Sequence, residues 1–222
     1  HMPNGFSIQQ ATSPEAPTLA CHSVSFTKIN CGQKNDLKAL DCCIKKERSK
    51  IAPVKKQKLI LYGTSRGAAA IFDYAALYAP ADIGALVCEG IFDTVSHTAQ
   101  AGSWSTGIKV GLLKNFGVTD FKKEGIAPIF VYNNLPKDMP IALITSHADV
   151  IVPFTCTYKL YQKLKKTGFM HVHLLVLDNP THNRYAFCQE KDTYQSFIHA
   201  FYKKYNLPHI PAYAAAGKEL LV

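Results

Sequence analysis

No apolar run in this sequence reaches the roughly 18–20 residues that a membrane-spanning helix needs. Runs such as residues 59–62 and 174–177 are only strand-length. No signal-peptide-like apolar region is visible, and His1-Met2 reads as a cloning remnant, so targeting is not judged from the start of the chain. No CxxC or CxxH spacing points to zinc. Zinc-finger and RNA-recognition signatures are both missing, so no dedicated nucleic-acid site is expected. There is no internal repeat or low-complexity segment, which argues against a repeat array. Charge is sparse: 18% of residues are charged and 47% are hydrophobic, the balance of a globular protein.

What is present fits one folded unit. The chain has 222 residues, about the length of a single α/β domain and enough to bury a core. Its net charge of +9 comes largely from scattered lysine pairs: Lys45-Lys46, Lys55-Lys56, Lys122-Lys123, Lys165-Lys166 and Lys203-Lys204. Most fall where a helix should show its solvated face or its C-terminal end, where cations are favourable. There are seven cysteines, an odd number. Cys42, Cys43 and Cys88 sit in apolar segments, where a free thiol behaves as a small hydrophobe. This usage fits the cytoplasm or another reducing compartment.

Strand and helix patterns alternate along the chain. Residues 1–17 read as loop and residues 19–26 as a first strand. Residues 36–46 carry Leu37, Leu40 and Ile44 at helical spacing. Residues 59–62 suit a buried parallel strand, and the nearly all-apolar 66–78 suits a helix packed against a sheet. Further strands are expected at 83–88, 141–145 and 171–177, with helices at 154–166 and 192–205. Residues 93–138 read as irregular, with one helix near 106–115. Such alternation implies an α/β fold with a mostly parallel sheet, flanked by helices and joined by right-handed crossovers.

The strongest chemical signal is Gly63-Thr64-Ser65-Arg66-Gly67. It follows a strand and opens a helix, the context a nucleophile elbow requires. The turn is sharp, and the flanking glycines let strand and helix crowd together without Cβ clashes. Ser65 would stand above the sheet edge, with the backbone amide of Arg66 aimed at a developing oxyanion. The Arg66 side chain would either meet an acidic substrate group or pair with a surface carboxylate. Ser65 needs a base, and the base needs an orienting acid. Asp149 follows the strand at 141–145, at the strand edge where α/β sheets build their sites. His182 lies in Asp178-Asn-Pro-Thr-His182-Asn, the loop between the last strand and the last helix. His147, His171 and His173 read as structural or as pocket walls. Asp93, after the strand at 83–88, is the alternative acid. Glu89 reads as a buried acid in a polar network rather than a catalytic one.

In their order Ser65, Asp149, His182, and in the segments 59–70, 142–154 and 174–182 that carry them, these residues resemble the catalytic stations of the α/β-hydrolase superfamily, in its esterase- and peptidase-like members. The resemblance spans about residues 30–205. The stretch Gly32-Gln33-Lys-Asn-Asp36 and the helix after it are similar to the segment that leads into the nucleophile strand of such proteins. The resemblance implies an acyl-serine mechanism with no metal and no cofactor. It also exposes a departure. Only 58 residues precede Leu59, and no His-Gly motif supplies a second oxyanion donor. Either the sheet is reduced or an N-terminal part lies outside this chain; backbone near Asn4-Gly5 is the candidate donor.

Residues 94–136 read as a cap or lid-like insertion in a single domain spanning 1–222. Within it Trp104, Ile108, Leu112, Leu113 and Phe116 fall near helical spacing, beside Lys109 and Lys114. The preferred reading is a cap helix packed on the domain. The alternative is an interfacial helix that touches a membrane surface peripherally, as in a lipase. Gly102, Gly107, Gly111 and Gly117 speak against a rigid helix. The expected partner is a small-molecule ester or acyl substrate. A serine peptidase and a catalytically inactive hydrolase-like binding module are the competing functions.

Overall fold

A computed structural model describes residues 5–10, 22–25, 33–50, 58–78, 81–101 and 126–221. Six strands form one sheet in the order β2-β1-β3-β4-β5-β6. They are β1 (Gly5–Gln10), β2 (His22–Ser25), β3 (Leu59–Thr64), β4 (Ile83–Glu89), β5 (Ile141–Ser146) and β6 (Val172–Leu177). Strands β3 to β6 run parallel, whereas β1 pairs antiparallel with both β2 and β3. Among the described residues the helices are α1 (Gln33–Lys50), α2 (Arg66–Tyr78), α3 (Val95–Ala101), α4 (Pro128–Val131), α5 (Phe154–Lys166), α6 (Lys191–Lys204) and α7 (Pro211–Ala216).

The parallel part follows from the sequence pattern. Every residue of β4 and β5 is buried, as expected for central strands covered on both faces. Successive β3 residues point to opposite faces. Leu61 joins Ile71 and Phe72 of α2 and Leu160 and Leu164 of α5 in one core. Ile60 joins Val87, Ile144 and the α6 residues Phe197 and Phe201 in the other. Leu37, Leu40 and Ile44 of α1 are buried as their spacing predicts. The last turns of α5 and α6 carry Lys163, Lys165, Lys166, Lys203 and Lys204, so the lysines there complement the helix dipole.

Three expectations need correction. Residues 5–10, read as loop, form a strand; the loop-like composition of the first 17 residues masked the alternation of Phe6 and Ile8 with Ser7 and Gln9. Residues 93–138, read as irregular, contain α3, α4 and a 3-10 turn at Tyr132–Asn134. These elements are too short for a periodic pattern to register. Cys42 is exposed while its neighbour Cys43 is half-buried, because α1 buries the stripe of Leu37, Leu40 and Ile44, and Cys42 falls off that stripe. The expected helix near 106–115 lies outside the described residues. So do Trp104, Ile108, Lys109, Leu112, Leu113, Lys114 and Phe116. Among the described residues, no helix is long and apolar enough to cross a membrane.

Candidate active site

The end of β3 is a forced turn. Ser65 has φ of +53°, a left-handed conformation that a serine adopts only at a cost. Its backbone is held on both sides. The Ser65 N–H donates to the Glu89 carbonyl at 2.7 Å, and its carbonyl accepts from the Ala69 N–H at 3.2 Å. Gly63 explains why helix and strand can meet here. A Cβ at that position would lie 2.5 Å from the Gly67 carbonyl oxygen and 2.7 Å from the Ala68 nitrogen, so any side chain would part the two elements. Ser65 is 9% exposed. Arg66 is the first residue of α2, and backbone N–H groups at a helix N-terminus favour negative charge.

Asp149 lies in the loop after β5 and is buried. Its Oδ1 accepts from the Ile151 and Val152 amides at 3.0 and 2.9 Å. Its Oδ2 accepts from the Tyr185 hydroxyl and faces His182 Nδ1 at 2.8 Å. The loop itself is pinned, because the His147 amide bonds the Leu177 carbonyl at 2.9 Å and the Ala148 amide bonds Ser146 Oγ at 3.1 Å. With Nδ1 donating to the carboxylate, His182 keeps Nε2 as its basic nitrogen.

The His182 loop is shaped at both ends. Glu190 accepts from the Asp178 and Asn179 amides at 3.1 and 2.8 Å. Asn183 then takes φ of +61°, which asparagine tolerates, and a 3-10 turn at Tyr185–Phe187 follows. This turn delivers Tyr185 to the same carboxylate oxygen that His182 faces.

Gly90 links the halves of the site. It follows Glu89, the residue whose carbonyl holds the Ser65 amide. Its φ is +52°, and a Cβ there would lie 2.7 Å from the Tyr185 hydroxyl, 3.3 Å from His182 Cε1 and 3.5 Å from Asp149 Oδ2. Glu89-Gly90 is thus a partition with the turn at Ser65 against one residue and the Asp149–His182 pair against the next. Neither Gly90 nor Tyr185 was singled out from the sequence. A glycine directly after a strand and a tyrosine three residues past the loop histidine were the available signals.

Glu89 is buried and accepts from the hydroxyls of Tyr62 and Tyr194, which also touch each other at 2.7 Å. Burial pushes its pKa above the ordinary value, against the pull of the two hydrogen bonds. It is the network acid the sequence implied. The alternative acid, Asp93, faces a different histidine: its Oδ1 lies 2.7 Å from His97 Nδ1, and its Oδ2 lies 3.1 Å from Lys159 Nζ. His173 is buried against Tyr205 at 2.8 Å and His147 packs on Phe154, consistent with structural or wall roles. The register that sets Phe6 opposite Gly63 brings the Gly5 end of β1 level with the turn at Ser65.

With this geometry in hand, solved structures supply the comparison. An esterase from Pyrococcus furiosus superposes with a TM-score of 0.60 at 16% identity, over 83% of this chain and 66% of the esterase. The fold is that of the α/β hydrolases. An α/β hydrolase from a Medee basin deep-sea metagenome library matches with a TM-score of 0.51 at 16% identity, over 82% of this chain and 75% of that one. The Pyrococcus horikoshii acylaminoacyl peptidase matches with a TM-score of 0.54 at 17% identity, over 68% of this chain. The chain spans only about a quarter of the acylaminoacyl peptidases it matches, 24% in that case. No family profile and no curated protein sequence matches it.

Proposed function

We propose that the chain is a serine hydrolase that cleaves a carboxylic ester or thioester through an acyl-serine intermediate. The observation that carries this reading is the strained Ser65 turn, locked to Glu89, beside an Asp149–His182 pair packed on Gly90. Ser65 Oγ attacks the acyl carbon while His182 Nε2 takes its proton. Asp149 holds the imidazole in the tautomer that can accept it. The Arg66 amide, at the N-terminus of α2, stabilises the oxyanion, with backbone near Asn4-Gly5 as the second donor. His182 then protonates the leaving alkoxide or thiolate. Water adds to the acyl-enzyme with His182 as base, and release of the acid restores Ser65.

Ester selectivity calls for an acyl pocket; Trp104, Ile108, Leu112 and Phe116, which the sequence offers for it, lie outside the described residues. Such a pocket selects by buried area, at roughly 0.8 kcal/mol per methylene. Activity on p-nitrophenyl esters should therefore rise with chain length until the pocket is full. A flat profile with cleavage of peptides would favour the peptidase reading, which the acylaminoacyl peptidases among the structural matches support.

Fluorophosphonate labelling tests the core of the proposal, since only an activated serine reacts fast. The expected result is one adduct, located by mass spectrometry on Ser65. No adduct, or an adduct elsewhere, would overturn the enzyme reading in favour of a binding module.

A further inference from the structure

The rival acid has company of its own. Asp93 follows β4, His97 lies in the first turn of α3, and Cys156 lies in the first turn of α5. One donor atom from each, a carboxylate oxygen, a ring nitrogen and a sulfur, lies within 4.8 Å of the others. Asp93 and Cys156 are fully buried, and His97 stands partly exposed at the mouth.

The donors are held in place by their surroundings. The His97 amide is capped by Thr94 Oγ1 at 2.9 Å. The Thr98 hydroxyl donates to the Thr94 carbonyl at 2.9 Å, and its oxygen lies 3.6 Å from Cys156 Sγ, so the sulfur packs against α3. Thr157 Oγ1 donates to the Ile91 carbonyl at 2.7 Å, tying α5 to the segment that carries Asp93.

We propose that Asp93, His97 and Cys156 form a binding site for one zinc(II) ion. The donor set decides the metal. Calcium and magnesium take oxygen ligands, whereas carboxylate, imidazole and thiolate together suit zinc. Zinc bonds of about 2.0–2.3 Å at tetrahedral angles put donor atoms roughly 3.4–3.6 Å apart. The three donors reach that spacing by side-chain adjustments of about an ångström. The Asp93–His97 contact opens and the thiol draws in. Three protein ligands leave the fourth position to water.

Binding converts the Cys156 thiol to thiolate and releases its proton to solvent. Metal affinity at this site is therefore linked to pH, since the ligand form of the cysteine is the thiolate. Carboxylate and thiolate then balance the charge of the ion. Lys159, which faces Asp93 at 3.1 Å, is the competing cation. The bound ion would brace α3 against α5, and the inference does not depend on the hydrolase reading.

The test uses the full chain, stripped with chelator under reducing conditions and titrated with cobalt(II) and zinc(II). One cobalt per chain is expected, with a thiolate-to-metal charge-transfer absorption that zinc displaces. Cys156→Ser should abolish that absorption. His97→Ala should weaken binding on the order of 10-fold or more, and Lys159→Ala should tighten it. Zinc at a hundredfold excess over its Kd should raise the melting temperature by about 5–10 °C. No absorption and no thermal shift would overturn the proposal, as would signals that survive in Cys156→Ser. Should Cys156→Ser fail to fold, an unchanged affinity in His97→Ala would overturn it alone. Labelling of Ser65 is read separately and is expected in every case.

Discussion

Two aspartate–histidine pairs stand beyond the C-terminal ends of neighbouring parallel strands, and they are built differently. Asp149 draws its histidine from a distant loop, 33 residues away, and has both carboxylate oxygens occupied by amides, a phenol and an imidazole. Asp93 takes its histidine from the next helical turn and shares its charge with a lysine that is half in solvent. The first arrangement packs its ring against Gly90. The second joins two helices. An acid beside a histidine therefore does not single out one pair; the two differ in what else holds the acid.

The largest effect should come from exchanging the acids. Asp149→Asn is expected to lower kcat on a p-nitrophenyl ester by about ten-thousand-fold through loss of tautomer control, with the fold intact. Asp93→Asn should leave kcat within a few-fold. Steady-state kinetics on both variants decide it, and the reverse ranking would exchange the roles of the two pairs.

Gly90→Ala should come next. Its Cβ would lie 2.7 Å from the Tyr185 hydroxyl, on a backbone with φ of +52°. We expect a loss of about 1–3 kcal/mol in urea unfolding, with kcat reduced by one to two orders of magnitude as His182 and Tyr185 are pushed aside. Wild-type stability and turnover would mean that the partition is not a contact surface.

Tyr185→Phe removes one donor from Asp149 Oδ2. A hydrogen bond to a charged group contributes about 1.5–3 kcal/mol. Turnover on a p-nitrophenyl ester should fall on the order of 10-fold, as the carboxylate that positions His182 loses a donor. A loss of stability in urea unfolding with wild-type turnover would assign Tyr185 to packing alone.

The smallest effect concerns Glu89. Its pKa is raised above the ordinary 4.5 by burial, so the native state holds this proton where the unfolded chain has lost it. Stability from this group is therefore greatest below 4.5 and declines as the pH rises through the raised value. Glu89→Gln, which keeps an acceptor for Tyr62 and Tyr194, should flatten that decline in denaturant titrations at several pH values. An unchanged slope would show that Glu89 is not the group responsible.

The sequence made the parallel half of the sheet legible for a physical reason. Central strands covered on both faces are short apolar runs, and the helices between them carry their spacing openly, as α2 and α5 do. The Ser65 turn was legible because a glycine on either side is a steric requirement. The N-terminal strand was not, since its two apolar residues alternate with polar ones among loop-forming neighbours and never make an apolar run. Tyr185 and Gly90 were hidden for another reason. Each acts through a contact made in three dimensions, and neither residue type announces such a contact alone. Asp93 could be ranked against Asp149 only by position along the chain, because which histidine an acid meets is a tertiary fact.

The turn at Ser65 has a consequence for mutational tolerance. A left-handed conformation is cheap for glycine and disfavoured by about 1–2 kcal/mol for other residues. Replacing Ser65 by glycine should thus make the protein more stable by roughly 1 kcal/mol, even though the hydroxyl is gone. Under the proposed mechanism, selection for folding and selection for chemistry pull in opposite directions at Ser65. In a library screened for stability alone, serine should be among the first residues lost there, while Gly63, whose replacement would part helix from strand, should persist.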